Sequence, residues 1–387
     1  MCDVDTAASI LDLGLVLLAA AAFGWVARRA GLPAVVGYLL LGVVVSPFTP
    51  GYVADRHQIQ LLADIGVVLL LFEVGVEVDL PALRAGRRAL LWVVPAQVLL
   101  STALAGAAIH LLGVPPVPAA TLGLGVGMSS SVVIVNMTRS RRRTTDADTD
   151  QVLVAWSVLQ DVTGVALAAL LLVAAGTAGR PPEVMLGGIL AFGLIAAATA
   201  WALPRVLAHL RDEHDLFLIV SVATALAVSG VGAIAFGLPL ALAAFVGGVA
   251  ITESPVSAEF RRHLFPFRDL FAVLFFVGLG MLVDPAELAQ GLWWVPVFLC
   301  LVIVAKIAIA YVLARLARIP ARPLQLAVGL GQMGEFSFVL ASALAAGAVI
   351  DATIYVAVVA SVAISIAVSA IGVRWAMPGA RRSPAST

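Results

Sequence analysis

A lone aspartate, Asp161, lies in the apolar stretch AWSVLQDVTGVALAAL, with Gln160 and Thr163 as its nearest polar neighbours. A carboxylate carried into hydrocarbon costs roughly 3 kcal/mol or more unless it is paired or hydrated. Desolvation disfavours the charged form, so such a group accepts either a proton or a cation near neutral pH. The chemistry this supports is reversible ion binding. Around it stand groups suited to a partly dehydrated cation: the hydroxyls of Ser129, Ser130 and Ser131 in GMSSSVVI, the amide of Gln160, and backbone carbonyls freed where a helix unwinds. Lys306 is the only lysine, against twenty-two arginines, and sits midway along an apolar run. Arginine stays charged in proteins, whereas a buried lysine can release its proton. Two roles stay open for Lys306: a titrating group, or a fixed counter-charge to Asp161 or to opposed helix ends. Glu335, inside GLGQMGEFSF, reads equally as a proton-linked carboxylate or as a cap on a half-helix.

The remaining acids carry weaker signals. Asp64 lines a vestibule or snorkels, Glu73 and Glu77 sit toward one end of their segment, and Glu253 suits capping or gating; Asp12 and His110 read as interfacial. His and Cys spacing gives no metal site, and Cys2 and Cys300 make no disulfide framework. Nothing resembles a phosphate-binding loop, a metalloprotease motif or a nucleophile elbow, so we expect no enzyme and no cofactor. A formal net charge of zero gives no reason to expect nucleic acid.

The elements that position these residues are membrane helices. The chain of 387 residues is 62% hydrophobic and 12% charged, against about 25% charged in soluble domains. A spanning helix takes about 20 apolar residues. Thirteen segments qualify, near 7–27, 33–47, 59–78, 89–112, 117–138, 151–175, 183–207, 215–235, 238–254, 267–283, 290–314, 322–348 and 352–374. Threading the chain through them puts twenty arginines on one side and only Arg56 and Arg180 on the other. By the positive-inside rule the N-terminus is outside and the C-terminus cytoplasmic. We expect a multi-pass protein of the bacterial inner membrane, a single transmembrane domain over 1–387, with the lipid bilayer as its solvent.

An internal repeat refines the architecture. GLGVGMSSSVVI (123–134) aligns with GLGQMGEFSFVL (329–340) at an offset of 206, and FEVGVEVD (72–79) with VGLGMLVD (277–284) at 205. The offset spans seven segments, an odd number, so the copies enter the membrane from opposite sides. That predicts an all-α inverted repeat, about 7–175 and 215–374, with 183–207 as linker and the substrate site at the midplane. The fifth and twelfth segments carry clustered glycines, which weaken a helix by about 1 kcal/mol each. They are the two helices expected to be discontinuous and to cross.

These residues resemble the monovalent cation:proton antiporter-2 family, which includes Kef-type potassium/proton antiporters. The resemblance covers roughly 10–375. GMSSSVVIV (127–135) is similar to the family's serine-rich broken helix, and LQDV (159–162) to the motif that carries its ion-binding carboxylate, which falls on Asp161. LAAFVGGVAITES (242–254), FRDLFAVLFFVGLGMLVDP (267–285) and GQMGEFSFVLA (331–341) match as well, and VAKIAIAYVLAR (304–315) places the family's membrane lysine on Lys306. The resemblance implies a sodium/proton antiporter-like fold and a homodimer. Each protomer would have a dimerisation unit and a mobile core of segments 4–6 and 11–13. It implies exchange of K+ or Na+ for H+, the two competing for Asp161. Kef-type members usually carry a C-terminal nucleotide-binding regulatory domain; none is expected here. Gln160 precedes Asp161, where some relatives have a second carboxylate, and this suggests electroneutral exchange. Glu73 stands where an apolar residue is expected. Two other readings use the same scaffold: a gated cation channel or ligand-sensing membrane protein, and a sodium-coupled organic anion symporter.

Overall fold

The computed structural model describes residues 2–49, 56–76, 88–138, 145–175, 182–210, 213–236, 240–251 and 257–376. Among the described residues every regular element is helical. The chain begins with α1 (Cys2–Arg29), α2 (Ala34–Val44), α3 (Arg56–Val76) and α4 (Leu90–Leu111). Next come α5 (Pro116–Gly127) and α6 (Ser131–Thr138), then α7 (Ala147–Ala174), α8 (Pro182–His209), α9 (His214–Phe236), α10 (Leu240–Ile251) and α11 (Ser257–Met281). A short α12 (Pro285–Gln290) leads into α13 (Trp294–Leu316), whose middle, Val302–Ile307, is π-helical. The chain closes with α14 (Pro323–Leu330), α15 (Glu335–Ala346) and α16 (Ala352–Trp375). Six of these, α1, α4, α7, α9, α13 and α16, are long and apolar enough to cross a membrane.

Each predicted apolar segment coincides with a helix, and the fifth and twelfth each coincide with a pair of helices separated by a break. The differences have local causes. The tenth segment was expected at 267–283, but α11 begins at Ser257, because Pro266 and the nearby charges do not stop the helix. Pro285 at the first turn and Asp284, whose Oδ1 accepts from Ala286 N at 2.8 Å, start α12, which hydropathy alone misses. Residues 237–239, between the eighth and ninth segments, and Glu77, Glu253 and Arg180 lie outside the described residues.

The helices pack in two groups. In one, α2 and α3 pack on α11, and α3 on α10. Small residues set these distances. A Cβ on Gly42 would overlap the Val277 carbonyl, and one on Gly280 the Leu39 carbonyl, so α2 and α11 touch backbone to backbone. The other group is α4 to α7 with α13 to α16, the helices of segments 4–6 and 11–13. A cavity of about 200 Å³ lies where the groups meet, lined by Asp64 of α3, Phe275 of α11 and Phe338 and Ser342 of α15 among others.

One end of the second group is tied by charge. The Arg322 guanidinium meets Asp146 at 2.8 Å, and Thr149 Oγ1 accepts from Arg322 N at 3.0 Å. Asp146 in turn caps α7 by accepting from Thr149 N at 2.8 Å. Hydrogen bonds from Thr149, and then the Arg322 charge, hold the Asp146 carboxyl below the usual carboxylate range. A depressed value means the ionised form stabilises the fold above the unfolded group's range and is lost only as pH falls through the lowered one. The tie therefore holds α7 to α14 unchanged across neutral pH.

Candidate functional site

The two breaks have different chemistry. Helix α5 stops because Met128 turns to extended backbone (φ −96°, ψ 141°). Helix α6 starts three residues later, at Ser131, its first turn capped by Ser130, whose Oγ accepts from Val133 N at 3.3 Å. In the second copy α14 ends at Leu330, and Gly334, extended at φ −96° and ψ 179°, precedes α15. Gly334 N donates to Met128 O at 3.1 Å, Ser129 Oγ to Leu330 O at 2.9 Å, and Ser337 Oγ to Gly125 O at 2.8 Å. The two discontinuous helices thus cross at their unwound stretches, each meeting the other's orphan groups. A Cβ at Gly334 would lie 2.6 Å from the Ser129 carbonyl carbon, so the crossing admits no side chain there.

Lys306, fully buried, is aimed at this crossing from the π-helical turn of α13. Its ammonium donates to Met128 O at 2.6 Å and to Gln332 O. One carbonyl comes from each break, so the Lys306 amino group ties the two together. Of the two counter-charge roles open from the sequence, these contacts are those of a partner to opposed helix ends. The Gln332 side-chain amide is buried with no protein hydrogen-bond partner, a state that ordered water usually relieves.

Asp161, 1% exposed, projects from α7 and accepts a hydrogen bond from Ser131 Oγ at the first residue of α6. The three serines divide their work: Ser129 caps α14, Ser130 caps α6, and Ser131 alone reaches the carboxylate. Gln160 turns to the backbone instead. Its Oε1 accepts from Ser129 N at 3.3 Å, and its Nε2 donates to Gly127 O at 3.3 Å and to Gln97 Oε1. Glu335 opens α15, but its side chain lies outside the described residues. Glu73 is buried in α3, and His110 Nδ1 lies 2.8 Å from Val114 O.

Sequence reasoning missed Gln97, Ser365 and Ser369. Ser365 Oγ accepts from Met333 N at 3.0 Å, and Ser369 Oγ donates to Val328 O at 2.8 Å, so α16 supports the second break from behind. Ser361, Ser365 and Ser369 recur every four residues, a one-face polar stripe in an otherwise apolar helix that was available as a signal. Among the described residues no group of His, Cys, Asp and Glu is arranged to hold a metal.

Known proteins share this architecture. The transmembrane family of sodium/hydrogen exchangers matches residues 15–378. The Escherichia coli (strain K12) protein named "Putative cation/proton antiporter YbaL" is 32% identical over 344 residues, which are 85% of this chain and 61% of that protein. The chain thus spans about 61% of the length of that curated relative. In fold it is similar to the sodium proton antiporter MjNhaP1 of Methanocaldococcus jannaschii, solved at pH 8, with a TM-score of 0.75 at 16% identity. That match covers 96% of this chain and 98% of the other.

Proposed function

The chain belongs to the sodium/hydrogen exchanger family, and from that premise we propose that it exchanges a monovalent cation, Na+ or K+, for H+. The observation that carries the reading is the buried carboxylate of Asp161, held by Ser131 beside the crossing of two broken helices. Ionised Asp161 attracts a cation that has shed part of its water, with the Ser131 hydroxyl oxygen as a second ligand. A proton arriving at the carboxylate removes the charge and releases the cation. Exchange follows if the helices around the crossing change their exposure only when Asp161 is neutralised by one or the other. Ser129, Ser130 and Gln160 serve this site by fixing its backbone, and Lys306 balances the carboxylate when no cation is bound. Glu335, at the start of α15, is a further candidate for a proton-linked role.

Purified protein in liposomes, with an imposed Na+ or K+ gradient and an internal pH dye, tests the reading. Cation-driven proton movement is expected, with turnover far below channel currents. Because Gln160 leaves Asp161 without an adjacent carboxylate, we expect one-for-one, electroneutral exchange. An imposed membrane potential that drives cation uptake uphill would refute this stoichiometry.

We further propose a homodimer in the bacterial inner membrane, with two inverted repeats (about 7–175 and 215–374) joined by the helix at 183–207. The N-terminus is external and the C-terminus cytoplasmic, from the twenty-to-two division of arginines. A C-terminal reporter active only in the cytoplasm is expected to give signal. A signal from a periplasm-only reporter instead would reverse the orientation.

A further inference from the structure

Behind the first break lies a buried amide network joining α4 to α7. Gln97 of α4, with no exposed surface, makes four hydrogen bonds. Its Oε1 accepts from Trp156 Nε1 at 3.3 Å and from Gln160 Nε2, and its Nε2 donates to Ser101 Oγ at 2.9 Å and to Gly127 O at 3.3 Å. Trp156 and Gln160 are four residues apart on α7, so both face Gln97.

The polarity of this network is determined by groups that have no choice. An indole N–H only donates, and a backbone carbonyl only accepts. The Trp156 N–H on one side and the Gly127 carbonyl on the other therefore fix which end of the Gln97 amide is oxygen. Gln97 in turn presents oxygen to Gln160, which must answer with its NH2. The Gln160 oxygen is then left facing Ser129 N–H, an orphan donor of the unwound stretch. Reversing either amide would set N–H against N–H and oxygen against oxygen.

We propose that Gln97 and Trp156 are positioning residues for the ion site: an orientation relay that sets the Gln160 amide and, through it, the Met128–Ser130 backbone from which Ser131 reaches Asp161. The proposal rests on the exchange reading above. It adds that cation affinity depends on side chains that touch no ion.

The test uses the full chain with Gln97→Met, Trp156→Phe and the double variant. The readouts are apparent KM for Na+ and, separately, for K+ at several pH values in liposomes, and thermal unfolding in detergent. Gln97→Met leaves the Trp156 indole N–H and one N–H of Gln160 unpaired, while the Gly127 carbonyl keeps its bond from Gln160. It is expected to raise KM about tenfold, the weight of one buried hydrogen bond or slightly more, with maximal rate within about threefold and a displaced pH profile. Trp156→Phe removes one donor, keeps an aromatic ring in the seat at the cost of a small cavity, and is expected to raise KM about threefold. In the Gln97→Met background, Trp156→Phe is expected to add nothing or to restore a part, because the orphaned indole N–H is gone. Multiplying effects on KM, or a lowered maximal rate at unchanged KM, would overturn the relay. If the parent exchanges neither cation, the exchange reading fails. The relay is then judged by the unfolding cycle, where additive losses overturn it and non-additive losses support it.

Discussion

Asp161→Asn is expected to insert and fold as the parent does and to lose cation-dependent proton movement by at least about a hundredfold, the factor that about 2.7 kcal/mol of ion binding represents. The amide matches the carboxylate in shape and its oxygen still accepts from Ser131, so the crossing is preserved. What disappears is the group's ability to carry either a charge or an exchangeable proton. Because burying a carboxylate is itself costly, thermal stability is expected to be unchanged or raised. A variant with parental exchange rates would remove Asp161 from the mechanism, whatever its stability.

Lys306→Met is the second large effect, and its first readout is stability. The parent ammonium bonds one carbonyl from each break, and methionine fills similar volume but donates nothing. The Met128 carbonyl keeps its bond from Gly334 N, but the Gln332 carbonyl is orphaned at about 1–3 kcal/mol, and removing one member of a buried charge pair costs about 3–5 kcal/mol when the other stays ionised. Relief of the lysine's own desolvation offsets part of this. A net loss of a few kcal/mol and little or no transport are expected, read by melting in detergent and by the liposome assay. The double variant Asp161→Asn/Lys306→Met separates the contributions. Its stability recovers the Asp161 portion and retains the carbonyl portion. If Lys306→Met alone melts like the parent, the clamp between the two breaks contributes nothing to the fold.

The sequence made the scaffold legible because hydropathy runs are local and a repeat offset is countable. It located both breaks, since glycine clusters mark where a helix yields. It singled out Asp161 and Lys306, because an ionisable residue in hydrocarbon is costly wherever it points. It could not supply partners. Ser129 meets Leu330, Ser337 meets Gly125, and Lys306 meets Met128, each pair separated by more than 170 positions in the chain. Polarity in an apolar segment announces burial, but the hydroxyl of Ser129 and that of Ser131 look alike until the second repeat is laid across the first. Gln97 was invisible for the same reason: a single glutamine in α4 has no pattern, and its meaning lies in the tryptophan and glycine it orients between.

The π-helical turn Val302–Ile307 makes the residue count of α13 part of its specification. A π turn closes hydrogen bonds from i to i+5 and takes up one residue more than an α turn. Each residue rotates an α-helix by about 100°. Deleting any one residue of this turn lets the segment relax to an uninterrupted α-helix. Because the π turn had absorbed one extra residue, the two flanks of α13 keep their angular phase in the shortened helix. Phe298 on one flank and Ala310 and Ala314 on the other then stay in their buried seats, whereas deleting a residue from the α-helical part of either flank would turn one set away by about 100°. Conservative replacements across the turn cannot reproduce this, because they leave the count intact. Alignment with any relative that is α-helical throughout this stretch must therefore open a one-residue gap beside Lys306, even where the flanking letters match.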